Sequence, residues 1–342
     1  MDLRELRFGV EIEMTGLTRS QAAQVAAGYF NSRARSGGTY YDKHYAEDTQ
    51  GRKWNFMSDS SIHQQTSVNG EVVDVSDSAY EVELVTPICR YEDIETIRQL
   101  VERLRRAGAI TNESCGIHVH VDAAAFDAKS LRNLVNIMAS KEELLYKALR
   151  VPVDREYYCQ KMNTDFLEQL NLIRPRTRDQ VSQVWYAEQP DNRHTVNDHY
   201  HNSRYHALNL HSVFTKGTVE FRIFNSTVER TDQIKAYIQL CLAASTQALN
   251  QKHASPVRTQ SPNEKYTFRT WLLHLGMIGG EFKEARACLL EHLDGNIAWK
   301  DSAQAERQKE RLRRQREAGE APEQGNSQEA GEDSPAFTMT MT

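Results

Sequence analysis

The sequence lacks the features that define several large classes of protein. It has no run of about 18 apolar residues, so no membrane-spanning helix is expected. It also has no Gly-x-x-x-x-Gly-Lys-Ser/Thr loop, the common sequence signature of a phosphate-binding loop. The net charge of −5, with 26% charged residues, gives no general signature of nucleic-acid binding. The composition therefore predicts a globular protein that contacts neither membrane nor nucleic acid.

Cysteine is scarce, and its spacing does not fit a disulfide or zinc framework. The five cysteines are scattered, odd in number and without a Cys-x-x-Cys pair. Residues 1–5 are charged and lead directly into the first predicted strand, unlike a secretory signal. Both observations predict a protein of the reducing cytoplasm.

Four short segments combine an apolar face with a face of reactive side chains. They are residues 8–13, 81–84, 116–121 and 219–223. Alternate side chains of a β-strand point to the same side, about 6.7 Å apart. One side is therefore predicted to pack beneath helices through Val10, Ile12, Val82, Leu84, Ile117, Val119, Val121, Val219, Phe221 and Ile223. The other side carries Glu11, Glu13, Glu81, Glu83, His118, His120, Glu220 and Arg222.

Five carboxylates on one surface need positive charge to balance them. Two like unit charges 4 Å apart repel by roughly 4 kcal/mol at an effective dielectric constant near 20. One arginine and two histidines cannot offset five glutamates, so bound divalent cations are expected. Oxygen ligands favour magnesium or manganese, and imidazole is better tolerated by manganese or zinc. The alternative, four unrelated strands with solvated glutamates, fits one Glu-x-Glu better than it fits all four segments.

Residue patterns in the rest of the chain predict further helices and strands. Helical patterns cover residues 18–32, 94–104, 128–149, 232–250 and 267–293. Strand patterns cover residues 53–57, 71–75, 79–85 and 205–213, the last joined to the next strand by a hairpin-like connection at residues 216–217. Residues 151–203 are predicted to form an insertion or lid of short helices and loops over the site.

The order of these motifs resembles one known family. The motifs are Phe8-Gly9-Val10-Glu11-Ile12-Glu13, Glu81-Val82-Glu83-Leu84-Val85-Thr86-Pro87, Cys115-Gly116-Ile117-His118-Val119-His120-Val121, Arg204-Tyr205-His206-Ala207-Leu208-Asn209-Leu210 and Thr218-Val219-Glu220-Phe221-Arg222-Ile223-Phe224. Over about residues 6–248 the chain resembles the putative amidoligase enzymes, in the superfamily of glutamine synthetase and glutamate–cysteine ligase. The resemblance implies an α+β fold, a curved antiparallel sheet with helices on its convex face. Its concave face would form a funnel-shaped site for metal and ATP.

The resemblance also implies an ATP-dependent ligase that joins a carboxylate to an amine. Enzymes of this kind use ATP with two or three Mg²⁺ or Mn²⁺ ions. A small-molecule or peptide carboxylate attacks the γ-phosphate, and an amine then displaces phosphate from the acyl phosphate to form an amide. The residues fit this chemistry, because a carboxylate and a triphosphate approach each other only if metals and arginines neutralise the phosphates.

The resemblance assigns a role to each candidate residue by its position. The implied metal ligands are Glu11, Glu13, Glu81, Glu83, His118 and Glu220. Arg222 would stabilise the transferring phosphoryl group next to Glu220, and Arg204 would clamp a phosphate or carboxylate. The implied nucleotide-binding residues are His120, Asn209, Arg204 and Arg222. Asp59 and Ser61 resemble a turn at the mouth for the acid substrate.

Domain organisation and two rival functions complete the prediction. We predict a catalytic domain over residues 1–300, a charged helix over 301–318 and a disordered tail over 319–342. The charged helix is a candidate contact for a protein partner. The first rival function is a metal-dependent amide or phosphoester hydrolase, in which Arg222 would have less to do. The second is a binding protein that kept the fold and lost catalysis.

Overall fold

The helices and strands follow one another along most of the chain. The computed structural model describes residues 1–38, 42–187, 198, 200–298, 306–307, 310–311 and 313–314. The strands in this part of the chain are β1 Phe8–Met14, β2 Arg35–Ser36, β3 His44–Glu47, β4 Lys53–Met57, β5 Gln65–Val68, β6 Glu71–Asp74, β7 Val82–Val85, β8 Gly116–Asp122, β9 Leu208–Asn209 and β10 Thr218–Asn225. The helices are α1 Arg19–Phe30, α2 Asp93–Arg106, α3 Ala128–Leu149, α4 Thr164–Ile173, α5 Arg178–Tyr186, α6 His211–Thr215, α7 Thr231–Asn250, α8 Glu264–His274 and α9 Lys283–Leu290.

Eight of the described strands form one sheet in the order β2-β3-β4-β7-β1-β8-β10-β9. Every neighbouring pair in it is antiparallel. β5 and β6 pair separately as a hairpin. The four predicted strands with reactive faces, β7, β1, β8 and β10, are neighbours in the sheet. The predicted α+β class, with a large antiparallel sheet, is confirmed.

One face of this sheet is the apolar core. All ten side chains predicted to lie beneath helices are buried, and none is more than 1% exposed. α1 packs on β3 and β4, α7 packs on β8, and α3 packs on β10, while α2 contacts both α1 and α7. A one-residue slip of any central strand would turn its charged side chains into this core. Burial of the apolar face therefore fixes the register that positions the opposite face.

The predicted boundaries of α1 and α3 agree closely with the structure. Thr18 caps α1 by accepting a hydrogen bond from the Gln21 backbone N–H, and Asp127 caps α3 in the same way through Ser130. Such caps satisfy backbone donors that have no partner inside the helix. α3 runs over residues 128–149, as predicted.

The predicted strand over residues 205–213 is wrong in extent. Only Leu208–Asn209 pairs with β10, at Phe221 and Glu220, and residues 211–215 form α6 instead. The side-chain carbonyl oxygen of Asn209 accepts a hydrogen bond from the Ser212 N–H at 3.4 Å, which favours the turn into the helix. The connection at residues 216–217 therefore follows a helix and is not a β-hairpin.

Two other predicted elements also differ from the structure. The strand predicted over residues 79–85 begins only at Val82, because Ser78–Tyr80 form a 3-10 helix capped by Asp77. The helical pattern over residues 267–293 is divided into α8 and α9. Gly276 and Gly279 interrupt it with φ angles of 88° and 84°, which favour glycine.

The described residues of the predicted insertion form two helices and two short 3-10 turns. α4 and α5 both pack on α3, and the 3-10 helix Val153–Tyr157 precedes them. Residues 188–197 and 199 of this segment lie outside the described residues. So do the predicted tail over 319–342 and most of the predicted charged helix over 301–318. Among the helices that the structure describes, none is long and apolar enough to cross a membrane.

Candidate functional site

The strand register brings five of the six predicted metal-binding side chains, all but Glu81, into one row with His120, which was predicted to bind the nucleotide. Residues paired across antiparallel strands point to the same side of the sheet. The cross-strand pairs are Glu11 with His118, Glu13 with Glu83, and Glu220 with His120. The row therefore runs over four adjacent strands, on the face opposite the apolar core.

A β-bulge in β10 positions Arg222. Phe221 pairs with Val119 and Phe224 pairs with Ile117, so β10 has one residue more than β8 between these pairs. Both phenylalanines stay buried in the core, which the extra residue permits. The Arg222 guanidinium donates a hydrogen bond to Glu220 Oε1 at 2.5 Å. Arg222, which lies in the bulge, thus puts a cation beside Glu220.

Three overlapping groups of side chains could each hold a divalent cation. Within each group the candidate ligand atoms lie within 4.8 Å of one another. The groups are Glu11–His120–Glu220, Glu11–Glu83–His118 and Glu13–Asp59–Glu83. Glu11 and Glu83 each belong to two groups. The three candidate positions are therefore adjacent along the row.

His120 has a buried ring nitrogen that fits metal binding. Its Nδ1 lies 3.0 Å from the Thr218 hydroxyl oxygen, whereas its Nε2 is buried and has no hydrogen-bond partner in the part of the chain that the structure describes. Nε2 is 3.3 Å from Glu11 Oε1 and 4.0 Å from Glu220 Oε1. A metal-bound histidine usually has its second nitrogen fixed by such a hydrogen bond. The set of two carboxylates and one imidazole suits Mg²⁺, Mn²⁺ or Zn²⁺.

The negative charge of the row exceeds the positive charge next to it. Burial, together with the charges of Glu11 and Glu13, raises the pKa of Glu83 well above its usual value. Burial also opposes ionisation of Glu11 and Glu220. The charge of His120 nevertheless keeps the pKa of Glu11 well below its usual value, and Arg222 lowers the pKa of Glu220 to about 2. Glu83 is therefore the carboxylate that most needs a proton or a cation.

Replacing Glu83 with glutamine should raise the stability of the metal-free protein and reduce its stabilisation by metal. Because the folded-state pKa of Glu83 is raised, ionisation of this group costs stability as the pH rises above its unfolded pKa. We expect Glu83→Gln to raise the free energy of unfolding at pH 8 in EDTA by on the order of 1 kcal/mol. The gain in melting temperature on adding Mn²⁺ should shrink.

Thermal melts in EDTA and in Mn²⁺ test this prediction. Glu71→Gln, at an exposed position of β6, is the matched control and should change neither melting temperature. A metal-free Glu83→Gln protein that melts below the wild type would contradict the assigned charge repulsion.

Two of the predicted site residues, Glu81 and Asn209, lie next to the row but are not part of it. Glu81 lies just before β7, and its carboxylate accepts hydrogen bonds of 2.6 Å from Ser58 and from Gln64. It belongs to none of the three cation groups found among the described residues, whereas Glu83 belongs to two. Asn209 donates to Glu220 Oε2 at 2.8 Å, so it orients that carboxylate.

Three residues of the site were not predicted as metal-binding or catalytic. Asp59 completes the third cation group, although its Asp-x-Ser turn was assigned to the substrate mouth. Lys216 Nζ lies 3.7 Å from Glu11 Oε1, and its place just before the strand of Glu220 was the available signal. Arg155 had no signal in the sequence, since it lies in the predicted insertion.

Arg155 joins the insertion to the strands that carry His118 and Arg222. It is buried, and its guanidinium donates to the Cys115 carbonyl at 2.9 Å and the Arg222 carbonyl at 3.3 Å. The second carbonyl lies in the bulge, where the ladder between β8 and β10 is irregular. Gly116 leaves the space for this side chain, because a Cβ atom there would overlap Arg155 Nη2.

Replacing Gly116 with alanine should displace Arg155 and destabilise the protein. We expect a loss of about 1–3 kcal/mol in the free energy of unfolding, as for other overpacked sites. In a protein that already carries Arg155→Ala, Gly116→Ala should cost less free energy of unfolding, because the side chain that the added methyl group would overlap is then absent. Urea unfolding of the two single variants and the double variant measures this coupling.

Gly28→Ala is the control for the glycine substitution. Gly28 lies in α1, and a methyl group added there would meet no described atom within 4 Å apart from its chain neighbours and the nearby backbone of α1, so this variant should gain about 0.5–1 kcal/mol. Additive losses from Gly116→Ala and Arg155→Ala would contradict a direct contact between the two positions.

A cavity of about 330 Å³ adjoins the Glu13 end of the row. Its inner wall includes Glu13, His118 and Arg222. Arg204 and Tyr205 also line it, so the Arg204 guanidinium, which can bind an anion, lies beside the cavity. The buried row of potential ligands thus opens onto a space that can admit a small molecule.

The fold and this site define an α+β protein with adjacent carboxylates and histidines that could hold metal ions. Residues 4–245 match the family described as "putative amidoligase enzyme". Since the match covers more than half of the chain, the protein belongs to this family. The resemblance inferred from the motifs is therefore confirmed, and the family indicates an enzyme of the ligase type. No curated protein matches the chain.

Proposed function

We propose that the protein is an ATP-dependent carboxylate–amine ligase that forms an amide through an acyl phosphate. The observation that carries the proposal is the row of three adjacent cation groups, which ends beside Arg222 and opens onto a cavity. Family membership supports a ligase, and the donor set supports metal and triphosphate binding. The sheet would then be the curved, glutamine-synthetase-like sheet, with helices on its convex face and the site on its concave face.

Some residues of the site would bind metal ions and the triphosphate, and others would stabilise the phosphoryl group during its transfer. Two or three Mg²⁺ or Mn²⁺ ions, when bound at the three groups, would neutralise the triphosphate of ATP. Arg222 stabilises the charge of the transferring phosphoryl group, and its buried Nε has no hydrogen-bond partner in the structure. Lys216, whose Nζ lies 3.7 Å from Glu11 Oε1, supplies a further cation to the phosphates at the end of the row that holds Glu220. We place His120 and Asn209 next to the bound nucleotide. Asn209 contributes there by orienting the Glu220 carboxylate, to which it donates a hydrogen bond.

The charges also order the two substrates along the row. Lys216, His120 and Glu220 lie at one end, and the cavity lies at the Glu13 end. We assign the triphosphate to the first end and the carboxylate substrate to the cavity. Arg222 pairs with Glu220 and also lines the cavity, so the γ-phosphate and the carboxylate would meet beside it.

The reaction then proceeds in two displacements. The carboxylate oxygen attacks the γ-phosphorus and ADP leaves, giving the acyl phosphate. The amine nitrogen attacks the acyl carbon, phosphate leaves, and the nitrogen loses a proton.

The cytoplasmic location and a protein partner for the charged C-terminal segment stay predictions.

Analysis of the nucleotide products tests the proposal. The protein is incubated with ATP and Mg²⁺ and with pools of amino acids, amines and peptides, beside a Glu13→Gln variant. ADP and phosphate should rise only with a particular acid–amine pair and only in the wild type. AMP and pyrophosphate would overturn the acyl phosphate. Substrate cleavage without ATP would favour the hydrolase.

A further inference from the structure

The cavity beside Glu13 has the size of a metabolite or of a chain end. Its volume of about 330 Å³ is at the lower end of the roughly 300–1,000 Å³ typical of small-molecule pockets. A ligand inside it reaches the reacting groups, because Glu13, His118 and Arg222 form its inner wall. A folded protein could enter only through an extended terminus or a single side chain.

Arg204 is a cation in this cavity that pairs with no carboxylate among the described residues. Its guanidinium carbon lies 5.1 Å from the Tyr200 ring centroid and 4.8 Å from that of Tyr205. It donates to the Tyr205 hydroxyl at 2.8 Å, and its buried Nε has no hydrogen-bond partner among the residues that the structure describes. A planar guanidinium that lies against two rings is prepared to bind a carboxylate.

The other arginines of the cavity are already engaged. Arg222 pairs with Glu220, and Arg155 donates to two backbone carbonyls. Arg222 nevertheless lies near Arg204, since its guanidinium carbon is 6.0 Å from the same Tyr205 ring. A carboxylate bound by Arg204 is therefore close to the arginine assigned to phosphoryl transfer.

Besides two carboxylates of the third cation group, two more line this cavity and can bind an ammonium group. Glu113 and Asp154 are exposed, which puts them at the mouth, and neither pairs with a described cation. Tyr158 and Tyr205 also line the cavity, and their ring centroids are 5.6 Å apart. The cavity thus offers an inner cation, an outer pair of anions and an aromatic wall.

We propose that this cavity binds an amino acid or short peptide as a zwitterion. Its carboxylate binds Arg204, and its ammonium group faces Glu113 and Asp154 at the mouth. The carboxylate held by Arg204 is the one placed for phosphorylation beside Arg222. This last step rests on the proposed ligase function, whereas the binding of the zwitterion does not.

Binding without ATP tests the proposal on the full chain. Thermal melts in Mn²⁺ screen the twenty amino acids and a set of dipeptides. Each ligand that raises the melting temperature is compared by calorimetry with its N-acetyl and C-amide derivatives. We expect at least one such ligand, with affinity lowered about tenfold or more when either charge is removed.

Variants assign the two charges to their residues. Arg204→Gln should abolish the difference between the ligand and its amide, and Arg204→Lys should restore part of it. Glu113→Gln with Asp154→Asn should abolish the difference between the ligand and its N-acetyl derivative. Arg106→Gln and Glu71→Gln, both at exposed positions outside the cavity, should leave the affinities unchanged.

The outcomes separate this proposal from the ligase function. No stabilising ligand in the set, or derivatives that bind as well as the zwitterion, would overturn the cavity assignment. Formation of ADP and an amide from acids that carry no amino group would also overturn it, while leaving the ligase intact. Charge-dependent binding without any ADP formation would uphold the cavity and overturn the ligase.

Discussion

Replacing Glu11 with glutamine is expected to abolish turnover while leaving the protein folded. Glu11 belongs to two of the three cation groups, and its carboxylate lies 3.1 Å from His118 and 3.3 Å from His120. Loss of one charge therefore weakens two adjacent metal positions at once. We expect at least a roughly 10³-fold loss in kcat, since removing a single transition-state donor costs about 10²–10³.

Metal binding and turnover should be measured on the same samples. Calorimetric titration with Mn²⁺ should detect fewer bound ions in Glu11→Gln than in Asp59→Asn, because Asp59 belongs to one group only. Circular dichroism checks the fold, and Glu71→Gln serves as the neutral control. Full activity of Glu11→Gln would show that the row is not the active site.

Replacing Arg222 with glutamine should separate phosphoryl transfer from metal binding. A guanidinium offers no lone pair to a metal ion, so the substitution removes no ligand and Mn²⁺ affinity should not fall. Its charge lies next to Glu220, where we place the transferring phosphoryl group. Arginines in this role contribute about 10³–10⁵ to kcat in other phosphoryl-transfer enzymes, and we expect a loss near 10³-fold.

Single-turnover transfer from labelled ATP measures this effect directly. Arg222→Lys keeps a charge without the planar fork and should recover only part of the rate. Arg106→Gln, on the exposed side of α2, should behave as the wild type. Equal loss of Mn²⁺ binding and of transfer in Arg222→Gln would indicate that Arg222 supports the structure of the row instead.

The two faces of the sheet could be predicted because strands alternate strictly. Val10 and Ile12 must be buried, so Glu11 must point to the other side, and the same argument applies to His118 between Ile117 and Val119. Burial then fixes how the strands pair. For this reason the sequence was enough to predict that carboxylates and imidazoles of distant segments share one surface.

Side chains outside the regular strands could not be placed in this way. Glu81 follows the same alternation as Glu83, but it precedes β7 and is bound by Ser58 and Gln64. Arg155 reaches the site from a segment with no strand period, and its position depends on packing between distant parts of the chain. The bulge at Arg222 could not be predicted either. Ile223 and Phe224 are both apolar, so the alternating pattern does not show which of them continues the core-facing side of the strand.

The fit of Arg155 into the space above Gly116 limits how this protein can be recombined with relatives. A chimera that receives a foreign segment in place of residues 151–203 would lose the hydrogen bonds to the Cys115 and Arg222 carbonyls. A chimera that receives a foreign β8 with a larger residue at position 116 would expel the guanidinium. Residues 151–203 and β8 should therefore be exchanged together. Crossover points should be chosen so that both segments come from the same parent.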